Sequence, residues 1–80
     1  MKMHKAVAKR ILELCEEHKL TVNGLANLSA IPPSTLKNII YGVSKNPGIT
    51  TIKMLCDGLD ITVVEFFDCD LFNSLEQEIE

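Results

Sequence analysis

The chain has 80 residues, 46 % of them hydrophobic, and a formal net charge of −3. That is a single domain near the lower limit for unaided folding, too apolar to be disordered, and with no Trp and three Phe its core must be mainly aliphatic. No apolar run approaches the length of a membrane span, and the basic start MKMHKAVAKR is followed by neither a long apolar stretch nor a small-residue cleavage site, so a secretory signal is excluded and a cytoplasmic protein expected.

Residues 4–18 read as a first helix, with Val7, Ile11, Leu14 and His18 on one stripe and Glu13, Glu16 and Glu17 facing away. Leu20 should pack inward and Thr21 should cap a second helix over 22–29, with Leu25, Ala26 and Leu28 inward. Gly24 inside that helix costs about 1 kcal/mol relative to Ala, which points to a close approach by another helix. Pro32 and Pro33 end the second helix, and Pro33 suits the first position of a third, over 33–41. Leu36, Ile39 and Ile40 make its apolar stripe; Ser34, Lys37, Asn38 and Tyr41 fall on the opposite side, and Gly42 terminates it.

After the polar loop Val43–Gly48, Gly48 can cap a fourth helix, with Ile49, Ile52, Leu55 and Cys56 at core spacing and Gly58 as its end. Thr62-Val63-Val64-Glu65 is a capping box opening a fifth helix that carries Val63, Phe66 and Phe67. In the tail, Leu71, Phe72, Leu75 and Ile79 stand at helical spacing, compatible with a sixth helix, a partner-facing segment or a frayed end. No strand alternation occurs. The expectation is an all-α bundle of five short helices over 1–67, followed by an acidic amphipathic tail over 68–80 that joins the fifth helix in a dimer surface through Phe66, Phe67, Leu71, Phe72, Leu75 and Ile79.

The charges are segregated. Eight basic residues against three acids leave residues 1–53 at +5, and the eight acids of 54–80 bring the total to −3. A chain so polarised can offer a positive face to an anion and turn its acidic end away. The three cysteines, Cys15, Cys56 and Cys69, are odd in number and irregularly spaced, which argues against a disulfide framework. Cys15 and His18 lie three apart, but no CxxC pair completes a zinc site, so the thiols read as small apolar side chains and no metal or cofactor is expected. No nucleophile–base pair or phosphate loop points to an enzyme.

The segments RILELCEEHKLTVNGLA, IPPSTLKNIIYG and KNPGITTIKMLCDGLDITVVEFF, in this order, resemble the lambda-repressor/Cro-like (Xre-like) helix-turn-helix family over roughly residues 7–67. The resemblance implies a DNA-binding regulator whose third helix enters the major groove, acting as a dimer on a palindromic operator. This chain departs from the family pattern in three places: Val22 stands where a phosphate-contacting Gln is common, Pro32 where a capping Ser or Thr is common, and Cys15 with Ile40 where an Arg–Glu pair is common. Replacing both members of a buried ion pair with apolar groups is coherent, and predicts that Cys15 packs near Ile40.

On this resemblance Pro33, Ser34, Lys37 and Asn38 are the base-reading candidates. Asn38 suits adenine N6 and N7, Lys37 guanine O6 and N7 or a phosphate, and Pro33 a thymine methyl. Thr21, Tyr41, Ser44, Lys45, Asn46 and Gly48 are the phosphate-contact candidates, with Lys9 and Arg10 adding charge. The bland reading of the same residues is a solvated helix face. The competing function is a protein-interaction module, such as an antitoxin or adaptor, built on the same fold.

Overall fold

The computed structural model describes residues 1–79. Five α-helices follow one another: α1 (Met3–Glu17), α2 (Val22–Leu28), α3 (Pro33–Ile40), α4 (Ile49–Leu59) and α5 (Val63–Phe67), then a single 3-10 turn at Asp70–Phe72. No strand occurs among the described residues.

The local signals act largely as read. Thr21 Oγ1 accepts the Gly24 N–H at 2.9 Å and starts α2. Pro33 occupies the first turn of α3 after Pro32, which supplies no capping side chain. The capping box at α5 is complete: the Glu65 N–H donates to Thr62 Oγ1 and the Thr62 N–H to Glu65 Oε1, both at 3.0 Å.

How the helices end is less legible. α1, α2 and α4 each turn off through a non-glycine residue in the left-handed region: Lys19 (φ 56°), Ala30 (φ 55°) and Asp60 (φ 56°). In each case the following N–H reaches back to a carbonyl of the last turn: Leu20 to Cys15 (2.8 Å), Ile31 to Ala26 (2.9 Å) and Ile61 to Cys56 (3.0 Å). This is the Schellman closure, with an apolar residue turned onto the core directly after it. Only α3 uses glycine for the purpose, Gly42 at φ 78°.

α1 packs against α3, α2 lies against both α3 and α4, and α5 covers α4. Val7, Ile11, Leu14, Leu25, Leu36, Leu55, Cys56 and Phe66 are the deeply buried residues between them. Cys15 is buried in this cluster and Ile40 lies partly buried at its margin. Burial pushes the Cys15 and Cys56 thiols above their ordinary pKa, which leaves them unreactive.

Several sequence expectations need correction. His18, Leu28 and Ile49 do not join the core: His18 is exposed at the end of α1, Leu28 is 57 % exposed and Ile49 is 86 % exposed. All three stand at helix ends, where the stripe runs past the neighbouring helix that would cover it. Gly58 does not end α4, which continues to Leu59. Gly58 is instead where two segments approach closely, since a Cβ there would lie 2.4 Å from Ser29 Oγ and 3.1 Å from Ser29 Cα. At Gly24 a Cβ would meet the hydroxyl of its own cap, Thr21, at 3.1 Å and the Leu20 side chain at 3.8 Å, both from the segment just before it.

Arg10 is buried and not part of a charged surface. Its Nε donates to the Phe66 carbonyl at 2.6 Å and its Nη2 to the Glu65 carbonyl at 2.8 Å, with Glu13 beside it at 3.7 Å. It therefore ties α1 to the last turn of α5, whose carbonyls have no partner within that helix.

The tail does not continue as a helix beyond the 3-10 turn, and it does not turn away from the basic half. Phe67 and Phe72 pack edge to face at 4.9 Å, and Phe66 joins them from the core. The chain then returns to the start of α1. The Glu76 carboxylate pairs with the Met1 ammonium at 3.0 Å, and the Glu76 N–H donates to the Met1 carbonyl at 3.1 Å. The Lys2 ammonium donates to the Gln77 carbonyl, and the Met3 N–H donates to Glu78 Oε2 at 3.2 Å. An unsatisfied helix N-terminus next to lysines attracts carboxylates, which outweighs continuation of a short, acid-rich helix.

Candidate nucleic-acid interface

α3 is fastened by one side. Leu36 and Ile39 are buried and Ile40 half-buried, while Pro33, Ser34, Thr35, Lys37 and Asn38 are all exposed. Ser34, Lys37, Asn38 and Tyr41 share the outward face, and Tyr41 is 75 % exposed. Every side chain on this face is neutral or cationic, with donors and acceptors short enough to meet a base edge. Thr35, exposed on the flank of the same helix, was missed by the sequence reading, which followed a single i, i+3, i+4, i+7 row.

The other candidates are placed around this helix. Thr21 stands exposed at the start of α2, where the Val22 and Asn23 N–H groups precede the first intrahelical bond, Leu25 to Thr21 at 2.9 Å. The Ser44 N–H donates to the Asn38 carbonyl at 3.0 Å, which holds the start of the loop against the end of α3. Lys45, Asn46 and Gly48 are exposed beyond it. Gly48 begins α4 without a capping side chain, so the first-turn N–H groups have no intrahelical partner. Thr50, exposed, and Thr51, half-exposed, add hydroxyls there. Their position just inside a helix start was the signal available for them in the sequence.

Two further lysines flank α3. Lys5 and Lys9 border a groove of about 250 Å³ that also meets Tyr41 and Gly42, with Ala8, Leu12 and Ile40 along it. Lys9 is exposed beside α3. Lys5 was missed and Arg10 is withdrawn into the fold. Between Glu17 and Asp57 the sequence has no acid at all, so α2, α3, the loop and the start of α4 carry only positive formal charge. The segment itself places no acid in the way of an anionic ligand.

Among the described residues, no group of three or more His, Cys, Asp and Glu gathers in a way that would hold a metal ion, and no helix is long and apolar enough to cross a membrane.

A short helix braced from behind by α1, entered through a tight turn from α2 and carrying an exposed polar face, is a helix-turn-helix. The Cro/C1-type HTH DNA-binding domain model matches residues 10–71, and the chain belongs to that family. The crystal structure of the prophage Lp1 protein 11 superposes with a TM-score of 0.81 at 37 % sequence identity, covering 94 % of this chain and 100 % of that one. No curated protein matches.

Proposed function

We propose that this protein is a small transcriptional regulator, acting as a repressor by occupying a palindromic operator as a homodimer in the cytoplasm, with α3 in the major groove. The observation that carries this reading is the outer face of α3, where Ser34, Lys37 and Asn38 are exposed directly opposite a buried aliphatic stripe, in a segment free of acids. Asn38 offers an adenine a paired donor and acceptor, Lys37 reaches guanine or a phosphate, Ser34 serves either, and Pro33 contacts a thymine methyl. Thr21, Tyr41, Ser44, Lys45, Asn46 and Gly48 hold the flanking phosphates through hydroxyls, charge and open N–H groups, fixing the register in which α3 reads. The protein performs no chemistry on the DNA.

The apolar surface for pairing two copies is narrower than the sequence suggested, because Phe66, Phe67 and Phe72 are largely used against one another. Val63, 39 % exposed, and Val64, 77 % exposed, remain beside Phe67 on α5, and we assign the dimer contact to this patch.

Selection of bound sites from random duplex DNA tests the reading, and two half-sites at a fixed spacing report the dimer. On the selected site, Asn38→Ala weakens specific binding by about 1–3 kcal/mol and relaxes the preference at one base pair. Lys45→Ala weakens binding to all sequences alike and lowers the salt slope by about one unit. Failure to bind duplex DNA at low salt overturns the reading in favour of a protein-interaction module.

A further inference from the structure

The return of the acidic tail has a consequence at the loop after α3. Glu78, which accepts the Met3 N–H at 3.2 Å, lines a cleft of about 230 Å³ together with Met3, His4, Lys45 and Asn46. Lys45 and Asn46 are two of the residues assigned to phosphate. Glu76 is anchored alongside by the Met1 ammonium, and Lys2 holds the intervening Gln77 carbonyl. The Met1 ammonium also keeps the Glu76 carboxyl below its ordinary pKa, with Lys2 and Lys5 adding to the effect, so it is charged at neutral pH. A carboxylate and a phosphate oxygen compete for the same donors, N–H groups and ammonium groups, by the same charge-assisted bonds.

We propose that the C-terminal segment around Glu76–Glu78 is a built-in competitor of DNA phosphate, its Glu78 carboxylate sharing a cleft with Lys45 and Asn46 and lowering the affinity of the free protein for duplex DNA. The inference rests on the DNA-binding reading above. Because the tail is held by one exposed ion pair and a few hydrogen bonds, it leaves at low cost when a stronger polyanion arrives. Such a competitor suppresses non-specific binding, which depends on phosphate alone, more than operator binding, which also draws on base contacts.

The test compares three full-length proteins: the natural sequence, Glu76→Gln/Glu78→Gln, and Asp60→Asn/Asp68→Asn. The last removes two charges from the acidic half without touching the tail contact, and Asn tolerates the left-handed backbone at position 60. Binding to random-sequence duplex is measured near 50 mM and near 500 mM salt, alongside thermal melting. The tail variant binds about three- to tenfold more tightly at low salt, the scale of removing two exposed carboxylate charges, and the gain fades at high salt. The control gains clearly less.

Equal gains in both variants, or no gain in a tail variant that melts normally, overturn the proposal while leaving DNA binding intact. Titration with inorganic tripolyphosphate, followed through the Met3 and Lys45 amide signals, provides a readout that needs no DNA. Tighter tripolyphosphate binding by the tail variant, with duplex bound by none of the three, rejects the DNA reading and retains competition for anions. No difference in either ligand rejects the competition.

Discussion

Removing the Arg10 side chain leaves the Phe66 carbonyl, at the end of α5, without its donor and the Glu65 carbonyl with the Asp68 N–H alone, at 3.3 Å. Hydrogen bonds to a charged group contribute about 1.5–3 kcal/mol each, so Arg10→Ala should destabilise the fold by about 2–4 kcal/mol. A urea titration reads this as a lower midpoint at unchanged slope. A loss below about 0.5 kcal/mol, the level of an ordinary surface substitution, would show that the two bonds are not made in solution. Nothing in the sequence around Arg10 separates it from Lys9, its exposed neighbour. The two differ only in what the other end of the chain brings to them, since Phe66 lies 56 positions away. Ser29 makes a related point: its hydroxyl is buried without a partner because Gly58 presses against it.

At the level of the helices, the starts of α2 to α5 were legible, but of the ends only that of α3, at Gly42. Thr21, Pro33, Gly48 and Thr62 act within four residues of where they stand, so composition reveals them. Lys19, Ala30 and Asp60 hold the left-handed conformation only because the following apolar residue is drawn into the core. A non-glycine residue there costs about 1–2 kcal/mol, part of which Gly returns in the unfolded chain. Ala30→Gly should therefore stabilise by about 0.5–1 kcal/mol, a rise in Tm of roughly 2–8 °C for a domain of this size. A lowered Tm would mean that the turn after α2 is not left-handed.

The capping box makes the acid side of the stability profile predictable. The Thr62 N–H and hydroxyl hold the Glu65 carboxyl below its ordinary value of 4.5, as the Met1 ammonium does for Glu76. A lowered carboxyl pKa gives stability that is complete above the ordinary value and is lost as pH falls through the lowered one. Tm should hold above about pH 5 and decline below pH 4.5, and Glu65→Gln should flatten that decline. An unchanged acid limb in that variant would remove the cap from the account.

For the whole molecule, the question is how charge and apolar surface are distributed once the chain is folded. The positive charge of residues 1–53 is spread over α1, α3 and the loop after it, part of the acidic segment is folded against the start of α1, and half of the expected pairing surface is closed by the Phe66, Phe67 and Phe72 cluster. If two copies pair through Val63, Val64 and Phe67, then Val64→Glu should yield a monomer in analytical ultracentrifugation with little change in melting, because Val64 is exposed in the single chain. Operator affinity should fall sharply with it, since each half-site then binds alone. A variant that remains dimeric would place the contact elsewhere.

The sequence by itself determined the helix count, the helix-turn-helix and the outward set on α3. These depend on contacts within a turn or two, on proline placement and on the spacing of apolar residues, all of which are local. Only the tertiary structure decided that Arg10 is internal, that Gly58 and not Gly24 marks a close approach, that three helices end on non-glycine residues, and that the acidic tail lies beside Lys45. Each of these depends on segments distant in sequence meeting in space, where burial, an open helix terminus or a vacant Cβ position takes its value from the partner rather than from the residue.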